Sequence, residues 1–355
     1  MARAFPNGGP ETWTDCQVLL PHSKEVLSYA LNDEDKNEAL HRASVARNTL
    51  WYLCQRGEYA AAEQIGRAAA EAMEKVLGPE HPDTLASVSG LGWVLEGLGK
   101  YKEAEAMHQR ALEGGEKVLG PEHRDTLITV SKLGSTLEIL GKYKEAEATH
   151  RRALEGMEKV LGPEHLNTLT SVNSLGSVLE SLGKDKEAEA MYRRALEGRE
   201  KVLGPEHLNT LTSVDGLGFV LERLGKYKEA EAMHRRALEG KEKVLGPEHP
   251  STLISMNHLA LLFSSQGRLK EAEKLEVQAL EIKMRVLGQE HPDTLTSMNN
   301  LAITWKSLRR NSEALALMDE CVQLQEQILG SNHPHTVSSL RILNEWKTDN
   351  LVLDS

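Results

Sequence analysis

The chain has 355 residues and a net charge of −11, with 40% hydrophobic, 27% charged and 4% aromatic residues. That acidic balance disfavours non-specific attraction to phosphate backbones and anionic lipid, so neither nucleic acid nor membrane is an expected partner. Three cysteines, Cys16, Cys54 and Cys321, stand far apart in no paired pattern, which excludes a disulfide framework and suits a reducing, cytoplasmic setting. Residues 1–12 lack the apolar core of a signal peptide and are expected to be disordered, and residues 13–40 are expected to form a helical cap or linker. No later run is long and apolar enough for a transmembrane helix.

From residue 41 to residue 334 the chain repeats itself. The segment LGPEH places glycine at Gly78, Gly120, Gly162, Gly204 and Gly246, and the degenerate LGQEH and LGSNH place it at Gly288 and Gly330. Every spacing is 42 residues. A fixed period of this size marks a solenoid, whose units bury their apolar faces only by stacking. Seven units are predicted, starting near His41, Asp83, Asp125, Asn167, Asn209, Ser251 and Asp293. In the second, Leu85, Val88, Leu91, Leu95 and Leu98 recur at helical spacing. Pro82-Asp83 supplies the expected N-cap, as do Asn167, Asn209, Ser251 and Asp293 in other units. Gly99-Lys100 turns the chain, and Tyr101 to Leu119 makes a second helix with Ala104, Ala111 and Leu112 toward the first. The first unit is degenerate, with Leu50 replacing the small residue of the others. Residues 335–355 are predicted as a capping helix and tail, with Val337, Leu340, Leu343 and Trp346 covering the last unit.

The pattern L-G-x-x-L, then G-x-Y-x-x-A, then A over residues 91–111 resembles the tetratricopeptide repeat. The longer period resembles the 42-residue version in kinesin light chains, whose segments are matched by Met298-Asn299-Asn300-Leu301-Ala302 and Gly288-Gln289-Glu290-His291-Pro292-Asp293. Near-identical repeats close fungal NB-ARC and NACHT-type receptors, and the stretch from Trp13 to His22 looks like the segment preceding their arrays. The resemblance implies an all-α, right-handed superhelical α-solenoid of about seven antiparallel helix pairs, with capping helices at both ends. Gly92 would be the small residue at which the two helices touch. A concave groove lined by the first helices would bind a protein or peptide, as the recognition part of a fungal innate-immunity-like receptor. The alternative is a constitutive scaffold or cargo adaptor resembling kinesin light chain.

Differences among the copies point to the groove without any external alignment. Residues 167–208 and 209–250 agree at 34 of 42 positions, and only seven positions carry three or more residue types across the second to fifth units. Four of the seven, at repeat positions 4, 8, 11 and 15, share one face of the first helix, opposite the Leu85–Leu98 stripe. They include Lys132, Trp93, Ser177, Phe219 and Arg223. Position 7, with Asn173 and Asp215, borders that face. Uniform drift would also have scattered changes over the second helix, where Lys102, Glu103, Glu105, Glu113, Glu116 and Lys117 recur unchanged. Asn173, Asn257 and Asn299 match the asparagine ladder that holds peptide backbones in related arrays, and His258 and Asn300 complete the candidate set. The variable positions 33 and 42 have no account in the sequence alone.

Other candidates read as structural. The histidines from His81 to His333 recur once per layer, about 10 Å apart. That is too far to share a metal at about 2.1 Å, so loop hydrogen bonds are expected of them. Glu96, Glu138, Glu180 and Glu222 form either an acidic ladder or pairs with Arg110, Arg152, Arg194 and Arg236. No nucleophile–base pair or phosphate loop stands out, so the chain reads as a non-enzyme with no cofactor and no metal. Self-association is left open.

Overall fold

The computed structural model describes residues 13–28, 36–55, 58–331 and 333–353, so the disorder expected over residues 1–12 lies outside the described residues. Among them every regular element is an α-helix: α1 (Trp13–Ser28), α2 (Lys36–Gln55), α3 (Tyr59–Leu77), α4 (Pro82–Gly97), α5 (Tyr101–Val118), α6 (Arg124–Ile139), α7 (Tyr143–Leu161) and α8 (Leu166–Ser181), then α9 (Asp185–Leu203), α10 (Leu208–Arg223), α11 (Tyr227–Leu245), α12 (Pro250–Ser265), α13 (Leu269–Val286), α14 (Pro292–Ser307), α15 (Asn311–Ile328) and α16 (Pro334–Leu353). Helices α2 to α15 make seven hairpin pairs, the all-α solenoid class the period requires. α2 begins at Lys36, ahead of the expected start near His41. By chain contacts the molecule divides into two compact units, residues 1–194 and 195–355. Within the first, each helix from α1 to α8 packs on its chain neighbours, and within the second the helices from α10 to α16 do the same.

Histidine caps the first helix of each pair from α4 onward, and the closing helix α16 as well. At His81, His123, His165, His207, His249, His291 and His333, Nδ1 accepts the backbone N–H two residues on, at 3.1–3.3 Å. The loop hydrogen bond expected of these histidines is therefore a helix cap, satisfying one of the donors a helix start leaves open. The caps assigned from sequence to Asp83, Asn167 and their equivalents are displaced by two residues. Variable position 42 thereby becomes the first helical residue, whose N–H has no intrahelical acceptor in any case. Pro250 is as acceptable there as Arg124, Leu166 or Leu208. At the other end, Gly99 (φ 72°) lets Lys100 N–H close on Leu95 O at 2.9 Å. In the last repeat Arg309 takes that left-handed position with φ 63°, the only described non-glycine residue that does so.

Inside each pair, one small residue faces one larger one. A Cβ on Gly92 would stand 2.8 Å from the His108 ring, one on Gly134 2.7 Å from His150, and one on Gly218 2.6 Å from His234. On Gly176 it would stand 3.2 Å from Tyr192. The glycine contact predicted from sequence is correct, its opposite number is this buried ring, and Ala104 and Ala111 face Leu91, Leu95 and Val88 of the first helix as expected. The degenerate first pair reverses the sizes: Leu50 is buried, and Gly66 takes the place of the ring, its Cβ position 3.7 Å from Leu50. Volume is conserved while the order is swapped.

The ends are closed by helices that do not repeat. Cys16 and Leu20 of α1 join Leu50, Leu53, Cys54 and Val94 in one apolar cluster. Leu343 of α16, with Leu340, Ile342 and Trp346, packs on Ala302, Met318 and Val322. Val337, expected in that seal, is 52% exposed because it lies on the solvent side of α16.

Candidate partner-binding site

The first-helix face singled out by internal variation carries the exposed apolar residues that the core stripe does not explain. Ile254 is 47% exposed, Leu261 43%, Ile303 37% and Ile139 52%, and each falls at repeat position 4, 11 or 15. The second helices from α5 onward also expose one apolar residue at a shared position, Val118, Val160, Val202, Val244, Val286 and Ile328, but that position does not diversify and lies among ion pairs. Arg110 donates to Glu74 at 2.7 Å and Arg236 to Glu200 at 2.5 Å, and Arg152 and Arg194 bond Glu116 and Glu158 in the same way. These arginines therefore join successive second helices rather than reaching Glu96, Glu138, Glu180 and Glu222. Those glutamates lie among hydroxyls: Ser177 donates to Glu138 at 2.8 Å and Ser265 to Glu222 at 2.9 Å. Burial raises the Glu138 carboxyl above the usual range, opposed by hydrogen bonds from Ser177 and Ser181.

The candidate residues divide by burial. Asp215 is not a surface contact: it is 6% exposed, accepts Lys241 Nζ at 2.5 Å and Ser255 Oγ at 2.7 Å, and lies 3.4 Å from His234 Nδ1. Burial alone would raise its carboxyl. The His234 and His258 contacts and the Lys241 ammonium outweigh burial and hold it far below the usual carboxylate range. His258 Nδ1 stands 3.7 Å from the same carboxylate. Asp215, His234 and His258 have ligand atoms within 4.8 Å of one another, a spacing a metal would accept. Lys241 already supplies the charge that carboxylate needs, which makes the cluster a buried ion network.

Phe219 is half-buried and packs edge-on to His234 and His258, with centroids at 5.2 and 4.3 Å. It therefore packs on the buried network as well as bordering the variable face. Trp93 is half-buried against the N-terminal cluster, beside Trp51. Lys132 donates to Ser89 Oγ at 3.3 Å, and burial lowers its ammonium below the ordinary lysine range, with Glu96 opposing. Asn173 and Ser177 are half-buried, and Arg223 is exposed. Asn299 accepts from Ser339 of α16 at 3.1 Å. Asn257, His258 and Asn300 line one cavity of about 260 Å3 with Ile254 and Leu261. The structure thus brings together the candidates of the sixth and seventh repeats, and turns Asp215 inward.

Position 33 was missed as a functional position. Its residues Met157, Arg199, Lys241, Lys283 and Gln325 are buried wedges aimed at the next repeat's first helix. Met157 Sδ accepts from Ser171 at 3.2 Å, Arg199 donates to Ser213 at 2.8 Å, Lys241 to Ser255 at 2.9 Å and Lys283 to Ser297 at 2.8 Å. The signal was present as paired variation: positions 7 and 33 run Ser-Gly, Ser-Met, Asn-Arg and Asp-Lys through the second to fifth repeats.

A family profile described as tetratricopeptide repeat matches residues 51–117, 96–159, 125–201, 173–243 and 208–285, and a second with the same description matches 294–335. A nucleotide-binding leucine-rich repeat (NLR)-like protein of Hyaloscypha variabilis is 43% identical over 89 residues. That match takes in 25% of this chain and 9% of the relative. The solved structure of a Podosopora anserina putative kinesin light chain with nearly identical TPR-like repeats aligns with 27% identity and a TM-score of 0.51, over 58% of this chain and 98% of that one. BtubC (BKLC) from P. vanneervenii aligns with a TM-score of 0.55 at 21% identity, over 66% of this chain and 94% of that one, a likeness of fold alone. Such arrays are scaffold folds without catalytic chemistry. No helix among the described residues is long and apolar enough to cross a membrane.

Proposed function

This chain belongs to the tetratricopeptide-repeat family, and we propose that it binds a protein or peptide partner through the variable face of its first helices, as the recognition part of a fungal receptor in the cytoplasm. The observation that carries the reading is the coincidence of two independent patterns. Residues that differ between nearly duplicated repeats lie on the same face as Ile139, Ile254, Leu261 and Ile303, large apolar side chains left exposed. Exposed apolar side chains grouped on one face rimmed by polar groups mark interaction sites. Around Ile254 and Leu261 the rim is amide and imidazole: Asn257, His258 and Asn300. Side-chain amides both donate and accept, which suits an extended backbone.

The receptor setting is supported by the NLR-like relative, of which this chain matches a small part. A second reading, a constitutive scaffold or cargo adaptor, is favoured by the kinesin-light-chain-like structures. Both place binding on the same face. The test is capture from a fungal extract by the whole chain and by an Ile254→Glu/Leu261→Glu variant. The reading expects specific partners to be lost from the variant and kept by a Lys102→Glu control on the second helix. Equal capture by both variants removes the first-helix face from consideration.

A further inference from the structure

The first compact unit holds a cavity of about 630 Å3 bordered by α2, α4 and α6. Its origin is a missing side chain. At position 33, where other repeats insert Met73, Met157, Arg199, Lys241, Lys283 or Gln325 as a buried wedge, the second repeat has Gly115. At position 8, Gly90 leaves open space where a Cβ would stand. Gly115 leaves room that the wedge of every other repeat fills, and Gly90 does not close it.

The walls of that room are chemically specific. Trp51 and Trp93 supply indole surface. Thr126, 1% exposed and 3.2 Å from where a Gly115 Cβ would stand, has a hydroxyl without a hydrogen-bond partner. In four other repeats the matching Thr168, Thr210, Thr252 and Thr294 donate to the loop glycine carbonyl at 2.8–2.9 Å. Lys132 also borders the cavity, half-buried, with Ser89 Oγ as its hydrogen-bond partner at 3.3 Å. Burial lowers its ammonium, and the Glu96 charge opposes this without cancelling it. An ammonium held by one long hydrogen bond at the edge of an aromatic room calls for a group carrying negative charge.

We propose that this cavity is a small-molecule site for a compact aromatic carboxylate, with its ring against Trp51 and Trp93 and its anion on Lys132. The volume lies within the roughly 300–1,000 Å3 of ligand pockets, and Arg47, Asp83, Arg124 and Asp125 complete a mixed lining in which basic groups outnumber acidic ones. Trp93 and Lys132 belong to the variable first-helix face, so the site rests on part of the surface proposed for partner binding, yet titration with a small molecule and capture by the Ile254→Glu/Leu261→Glu variant fail separately.

The experiment is calorimetric titration of the full chain with 2-naphthoate and with neutral 2-naphthamide, followed in parallel by tryptophan fluorescence. The site predicts saturable 1:1 binding of naphthoate with quenching, and naphthamide bound at least tenfold more weakly. Lys132→Gln should abolish that preference. Gly115→Met, which restores the wedge of the third repeat, and Gly90→Leu, which grows into open space, should each weaken naphthoate at least tenfold at unchanged helicity. Where Gly115→Met disturbs folding, Gly90→Leu decides. Absence of saturable naphthoate binding, equal affinity for the neutral amide, or wild-type affinity in Gly90→Leu overturns the proposal.

Discussion

Replacing Lys241 by Met tests the buried network at the fifth repeat. Lys241 and Asp215 are each 6% exposed, with Nζ and Oδ2 2.5 Å apart. Removing the ammonium leaves a buried carboxylate with the Ser255 hydroxyl and the His234 contact. Breaking one side of such a pair costs about 3–5 kcal/mol, because the remaining charge stays desolvated. The repeat itself supplies the repair. Asp215→Ser with Lys241→Met recreates the Ser131 and Met157 of the third repeat, and should return to within about 1 kcal/mol of the parent. The implied coupling is about 2 kcal/mol or more, within the range of contacting residues. Urea denaturation followed by circular dichroism measures the totals. Hydrogen exchange over residues 209–265 places the loss in this repeat and its neighbour. A cost below about 1 kcal/mol for Lys241→Met, or a double variant no better than the single one, would refute the reasoning.

Gly92→Leu should overpack the contact with His108 and destabilise by about 1–3 kcal/mol, and adding His108→Gly should recover much of it by recreating the Leu50–Gly66 arrangement; melting of both variants checks this. His150 is held by burial near a pKa of about 4, against 6.5 for the free side chain. Between those values the unfolded chain binds the extra proton, so stability should fall as pH drops from 6.5 to 4, by up to about 3 kcal/mol from this group. Urea midpoints at pH 7 and 4.5 should therefore converge in His150→Tyr, which copies Tyr192. His123→Ala removes the acceptor for the Asp125 N–H and should cost about 1 kcal/mol, with faster amide exchange confined to the first turn of α6.

The architecture was legible in the sequence because a strict period converts local signals into a global one. Glycine at a fixed step, an apolar stripe and a turn dipeptide fix the helix pair, and stacking follows from it. The partners of the second helices were not legible. Arg110 and Lys241 reach residues in neighbouring repeats, and side-chain spacing within one repeat cannot say which neighbour is near. Asp215 was misread for a related reason. Variation at position 7 looks like surface diversification until it is seen to change together with position 33, as the Asp215–Lys241 pair does. The histidine caps were half legible: the spacing ruled out a shared metal, but an imidazole in the role usually held by Asp, Asn, Ser or Thr was not anticipated.

Site-specific photo-crosslinking in a cell extract would test the central claim most directly. A photoreactive residue at Leu261, on the first helix of the sixth repeat, should yield a discrete adduct that excess unmodified chain competes away. The same residue at Lys270, on the second helix of that repeat, should yield none. Discrete competed adducts at Lys270 and none at Leu261 would contradict the account and move recognition to the second helices.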